Sequence, residues 1–224
     1  MLNISLNNYL RRVRSDWRGV MAVKSFKVFL AITVVSVTVA TLGITSYLPQ
    51  VELRPGAPIA DPVLLAFPAV NVTALTFIIM YMCSLLGLVV MLRYPVRFVI
   101  GCFAYAIMLS LRTLTMYLLP MEAPPGIIVL VDPFIGAVAG SDSLTKDLFF
   151  SGHTATMFIF ALAAPKGLWK WFFVACTIAV GVLVVLQHVH YSIDVLAAFF
   201  FTYTSWRVSV NCHSRFSGIN NNVL

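Results

Sequence analysis

His190 and Asp194 stand four residues apart in the stretch His188-Val-His-Tyr-Ser-Ile-Asp194. On a helix that spacing puts both side chains on one face and within reach of each other. A carboxylate so placed can accept a hydrogen bond from one imidazole nitrogen, fix the tautomer and leave the other nitrogen as a nucleophile. Such pairs also occur as purely structural contacts, so the pair alone does not define a reaction. Ser151-Gly152-His153 adds a second imidazole beside a glycine. Glycine lets backbone approach a ligand closely, and the free amides at the start of a helix favour an anion. His153 could there give a proton to a departing oxygen; the plainer alternative is a histidine in a helix cap. Arg112 is either a fork for phosphate oxygens or a side chain that snorkels or pairs with an acid on a neighbouring helix. Together, with no metal-ligand spacing among them, these residues suit attack on a phosphodiester through a covalent phosphohistidine, which splits the transfer into two steps. His188 reads as a solvated loop residue, and His213 has no evident role.

The elements that must position these residues are apolar helices. Of 224 residues, 60% are hydrophobic and 10% are charged, and the mean hydropathy is +0.94. Soluble domains carry about 25% charged residues. So little polar surface cannot wrap so much apolar volume in water, and lipid is therefore the expected solvent. A span needs about 20 mostly apolar residues to cross roughly 30 Å of hydrocarbon. Six segments are candidates: Val28–Tyr47, Ala66–Met91, Val96–Leu119, Phe149–Ala164, Trp169–Gln187 and Tyr191–Val210, the fourth being short and polar at its start. The expected fold is all-α, a polytopic six-helix bundle over residues 26–210. Residues 1–25 read as a basic amphipathic segment on the cytoplasmic membrane surface, with a disordered tail as the alternative. Residues 211–224 read as a cytoplasmic tail.

Six spans place both termini on one side. Twelve bases then share that face (Arg11, Arg12, Arg14, Arg18, Lys24, Lys27, Arg93, Arg97, Lys166, Lys170, Arg207 and Arg215), against Arg54 and Lys146 on the other. Cytoplasmic loops carry such an excess, so both termini are expected in the cytoplasm. Glu52, Asp61, Glu122, Asp132, Asp142 and Asp147 fall on the opposite, outer face. Arg112, His153, His190 and Asp194 then gather at the outer membrane level although they lie up to 82 positions apart. Ionisable groups at membrane depth persist mainly where they face a cavity and work there. The net charge of +7 is dealt out between apolar segments rather than held in one patch, which speaks against nucleic acid. Cys83, Cys102, Cys176 and Cys212 lie far apart and suggest neither a disulfide framework nor a zinc site.

Three stretches closely resemble motifs of the sphingomyelin synthase family, a branch of the wider PAP2 lipid phosphatase/phosphotransferase superfamily. They are Asp147-Leu-Phe-Phe-Ser-Gly-His-Thr154, His188-Val-His-Tyr-Ser-Ile-Asp194-Val195 and Arg112-Thr-Leu-Thr-Met-Tyr-Leu-Leu-Pro120. Pro58-Ile-Ala-Asp61 resembles a fourth. The resemblance implies a PAP2-like bundle of six spans with cytoplasmic termini. It implies His190 as nucleophile, Asp194 as its partner and His153 as the acid assisting the leaving group, with no metal or other cofactor. Arg112, Tyr117, Asp147, Ser151 and Gly152, which lie in these motifs, become candidate phosphate- or substrate-binding residues. The implied reaction moves a phospho-headgroup from a glycerophospholipid to ceramide and releases diacylglycerol. Both lipids, and the membrane itself, are then the expected partners.

The departures are informative. PAP2 phosphatases carry a Lys-x6-Arg-Pro motif, where alignment on Pro120 gives Arg112 and Leu119. Their Ser-Arg pair ahead of the third-motif histidine is replaced by Leu183 and Val184. Loss of these bases favours the synthase branch over a plain phosphatase. Two alternatives stay open: the same intermediate attacked by water, as in a lipid phosphatase or phospholipase, and a transporter or scaffold using the polar cluster as an ion relay. The motifs leave the headgroup, the acceptor and self-association into a homo-oligomer undecided.

Overall fold

In the computed structural model residues 6–131 and 144–217 are described. Asp132 and Asp142 of the expected outer loop, and 218–224 of the expected tail, lie outside the described residues. The helices are α1 (Leu6–Met21), α2 (Lys24–Leu53), α3 (Pro62–Leu65), α4 (Thr73–Met91), α5 (Pro95–Leu118), α6 (Gly152–Ala163), α7 (Leu168–Leu186) and α8 (Ser192–Ser217). Local chemistry sets their starts. Pro95 occupies the first turn of α5 and Pro62 that of α3, where a missing N–H is harmless. Asp61 caps α3, and Ser151 caps α6 by accepting from the Thr154 amide at 3.3 Å.

Among the described residues four helices, α2, α4, α5 and α7, are long and apolar enough to cross a membrane. Large aliphatic side chains such as Val35, Val39, Met82 and Leu85 cover their outer faces, each more than 60% exposed. That is the inverse of a soluble surface and suits contact with lipid. The six-span expectation is thus met in part. The fourth segment is a 12-residue helix, α6, about 18 Å long. It packs against α4, α5, α7 and α8, so protein rather than lipid surrounds it. The sixth, α8, is long, but its bundle-facing side is polar: Thr202, Ser205 and Ser209 are fully buried. The second is shorter than Ala66–Met91. Pro68 interrupts it, and the Val70 and Val72 amides turn aside to Leu186 O (2.9 Å) and Gln187 Oε1 (3.1 Å).

Of the segment 1–25, residues 6–21 form helix α1 and residues 1–5 lie outside the described residues. Trp17 Nε1 donates to Leu92 O at 2.9 Å, Asp16 pairs with Arg93 at 2.8 Å and Tyr9 donates to Val89 O. These contacts dock α1 on the turn between α4 and α5. At the other end, α8 runs on through the expected boundary at residue 210 to Ser217. His213 therefore has a place after all: it is 5% exposed and meets the Phe29 ring edge-on at 5.1 Å. α5 and α6 form the centre, where Ala104, Met108, Ala155 and Ala161 are wholly buried. Small side chains let the helices approach closely, which in lipid is what drives association.

Candidate active site

The segment ahead of α6 is built around Arg112. Its side chain is buried in α5, with Nε donating to Phe150 O at 2.8 Å and Nη2 to Asp147 Oδ1 at 2.7 Å. The guanidinium lies flat against Gly152: a Cβ there would stand 2.7 Å from Nη1 and 2.8 Å from Cζ. Glycine is required at this position for space. Burial pushes the Asp147 carboxyl up, but the adjacent Arg112 charge outweighs it and, with help from His190 and His153, holds the group below its ordinary range. Thr115, one turn further along α5, donates to Phe149 O at 2.9 Å. The entire approach to α6 is thus pinned to α5.

His153, in the first turn of α6, faces His190 with ring centroids 5.7 Å apart and planes at 63°. His190 is 1% exposed and Asp194 fully buried. Nδ1 of His190 stands 3.3 Å from Asp194 Oδ2, which also accepts the Tyr191 amide at 3.1 Å. Nε2 of His190 makes no hydrogen bond among the described residues. A carboxylate on Nδ1 selects the tautomer whose Nε2 lone pair is available. The Ser151 amide donates to Asp194 O at 3.1 Å, stitching the α6 start to the first turn of α8. The two imidazoles, the carboxylate, Arg112, Asp147, Ser151 and Gly152 therefore come together.

Tyr117 does not join them. It is 61% exposed, its ring lies 5.4 Å from the Arg54 guanidinium carbon and its carbonyl accepts from Arg54. His188 is not a solvated loop residue. It is 5% exposed at φ 56°, with Nδ1 3.0 Å from Pro125 O and its ring against Phe67 at 5.5 Å.

Five residues not singled out as site residues by sequence support this arrangement. Asp61 Oδ2 accepts the Ser192 amide at 2.6 Å, tying the loop before α3 to the start of α8. Burial raises its carboxyl, and the Ser192 and Val63 hydrogen bonds more than offset this, so it sits below its ordinary range. Gln187, fully buried, bonds Thr73 Oγ1 (2.7 Å), Ile128 O (3.0 Å) and the Val72 amide. Glu52 accepts the amides of Thr145 and Lys146, both at 3.0 Å, and Lys146 reaches Glu122 at 2.9 Å. Glu122, held by the Gly56 amide and Lys146, is also shifted down. A faint motif pointed to Asp61, and Gln187 is a polar residue ending an apolar run; for the Glu52 and Glu122 contacts no local signal exists.

The fold defines an all-helical integral membrane protein, with the candidate site where α5, α6 and α8 meet. Residues 146–211 match the family model described as PAP2 superfamily C-terminal. That segment holds both histidines and Asp194, so the likeness drawn from the motifs is borne out there. Phosphatidylcholine:ceramide cholinephosphotransferase 2 of Homo sapiens is 36% identical over 73 residues, 30% of this chain and 20% of that protein. The match thus spans about a fifth of the length of this curated relative.

Proposed function

We propose that the chain is a membrane phosphotransferase that moves a phospho-headgroup from a glycerophospholipid to ceramide. The observation that carries this reading is the pair of facing imidazoles, one of them backed by a buried carboxylate. In the first step His190 Nε2 attacks phosphorus while the bond to the diacylglycerol oxygen breaks, and His153 gives that oxygen its proton. In the second, the ceramide hydroxyl attacks the phosphohistidine, its proton passes to His153, and the phosphorus–nitrogen bond breaks to restore His190. Asp194 keeps Nδ1 protonated throughout, as the orienting acid of a triad does. Arg112 neutralises Asp147 and shapes the floor beside Gly152, and the α6 amides face the phosphate.

The relative that part of the chain resembles is named for the same chemistry, which supports the reading for this chain. We propose further that α6 and α8 complete a six-span bundle with cytoplasmic termini, since the distribution of bases demands it. The active site would then face the lumenal or extracellular side. The near-complete burial of His190 favours transfer over hydrolysis, because a dry pocket spares the intermediate from water.

The test is reconstitution in liposomes with labelled ceramide and one candidate donor at a time, beside His190→Ala. Transfer predicts labelled phosphoceramide and diacylglycerol, both absent in the variant. Release of free headgroup alone would assign a hydrolase. Products unaffected by His190→Ala would remove the site from the reaction.

A further inference from the structure

Between α7 and α8 runs a groove of about 470 Å³ walled by Ile178, Val182 and Leu186 on one side and Val195, Leu196 and Phe199 on the other. Val182 and Leu196 are 52% and 64% exposed, so the groove opens sideways, toward lipid. Gly181 forms its floor: a Cβ there would lie 3.0 Å from Val195 Cγ1 and 3.7 Å from Thr154 Cγ2. The floor therefore reaches α6 at the residue after His153. Val63 and Phe67 close the upper end beside Ser192. Ser192 stands between His190 and Asp194 in sequence, and its amide is held by Asp61.

The volume falls within the roughly 300–1,000 Å³ of ligand pockets. Among the described residues Ser192 is the one on its wall with a polar side chain, so this wall is not built to recognise a headgroup. Left empty, its walls would forfeit dispersion contacts, and in lipid no hydrophobic effect holds such a gap open. It therefore suits a hydrocarbon chain whose polar end stops at the level of Ser192. Resting on the transfer reading above, we infer that this groove seats one acyl chain of the lipid whose phosphate meets His190. The chain lies between α7 and α8, and the headgroup turns inward over the first turn of α8. This gives the lipid a lateral route that α5 and α6, buried at the centre, do not offer.

The test uses the full chain in nanodiscs with two groove-filling variants, Leu196→Trp and Val182→Trp. Val39→Trp, at a position 63% exposed on α2, serves as control. Turnover is measured with dipalmitoyl- and dihexanoyl-phosphatidylcholine, and a palmitoyl phosphatidylcholine carrying a chain diazirine is cross-linked to the wild type. Both filled variants should lose about tenfold or more in kcat/KM for the long-chain lipid, as a changed apolar pocket does, while hexanoyl turnover and the control hold. Cross-links should map to 178–186 and 195–199. Equal losses on both chain lengths, or labels spread evenly over α2 and α4, would overturn the groove and mark it as a seat for bulk lipid only. Groove labelling without any transfer by the wild type would instead overturn the reaction and leave the binding site standing.

Discussion

Gly152→Ala is the sharpest single perturbation of the site. The new methyl would stand 2.7 Å from Arg112 Nη1 and 2.8 Å from Cζ, whereas carbon contacts settle near 3.5–4.0 Å. The guanidinium would have to withdraw by about 1 Å. It has little room to do so. Nε is bonded to Phe150 O at 2.8 Å and Nη2 to Asp147 Oδ1 at 2.7 Å, in a side chain only 6% exposed. Withdrawal of about 1 Å stretches both bonds beyond hydrogen-bonding range. Overpacking of this kind destabilises by about 1–3 kcal/mol, and a 1 Å misplacement of catalytic groups lowers rates about 10²-fold. We expect Gly152→Ala to fold, to melt earlier in detergent and to lose about two orders of magnitude in lipid turnover. Gly43→Ala is the matched control, because nothing lies within 4 Å of a Cβ there; it should hold or raise stability, as removing a helical glycine does. Wild-type melting and turnover in Gly152→Ala would refute the packing of Arg112 on the α6 start.

Asp194→Asn should leave the fold intact and lower turnover by about 10⁴, the cost of the wrong imidazole tautomer in triads; a loss under tenfold would refute the orienting role. Tyr117→Phe should change turnover by less than about twofold, as surface substitutions away from a site do, since its ring sits with Arg54 and not with the histidines. Asp61→Ala leaves the Ser192 amide without its acceptor and should cost about 1–3 kcal/mol of thermal stability, read as an earlier melt. Asp61 and Asp147 are both held below the ordinary carboxylate value. Their stabilisation is therefore fully present above about pH 3.9 and is lost as pH falls through the depressed folded values. Melting curves taken into acid should show this loss, and Asp147→Asn should blunt it.

What was legible in the sequence follows the range of each interaction. The His190–Asp194 contact is local and was legible from the short spacing, but helical periodicity does not set it: His190 precedes α8, and Asp194 in the first turn of that helix reaches back to His190 and to the Tyr191 amide. The meeting of Arg112 with Ser151–His153 was legible through hydropathy and parity: alternate spans return to the same level, whatever loops intervene. Tyr117 failed by helical periodicity. Five residues beyond Arg112 on an α-helix is about 140° around the axis, so the two cannot share a face, and the buried ridge of α5 is instead Met108, Leu109, Arg112, Thr115 and Met116. The start of α4 was misplaced because a hydropathy window reads through Pro68, although the residue before a proline disfavours helix. Asp61 to Ser192 and Glu52 to Thr145 are out of reach of such rules. They join loops distant in sequence through single carboxylates, and nothing local in the sequence announces the partner.

The short central helix explains the depth of the site. Arg97 Nη1 bonds Ala164 O at 3.0 Å, so the end of α6 is fixed beside the start of α5. From there α5 climbs about 22 Å to Arg112, and α6 climbs about 17 Å to Gly152, at 1.5 Å per residue. The long arginine side chains at both levels bridge the difference. On α7 the chain rises about 24 Å from Leu168 to Val184, and the amides of Val189 and His190 then turn back to Val184 O, lowering His190 to that height. Three separate elements therefore deliver their polar groups to one plane, while α5 continues about 9 Å further to Leu118. A full-length sixth helix in place of α6 would carry His153 past that plane and away from His190. The 12 residues of α6 are thus what brings His153 level with His190, Asp194 and Arg112, below the end of α5.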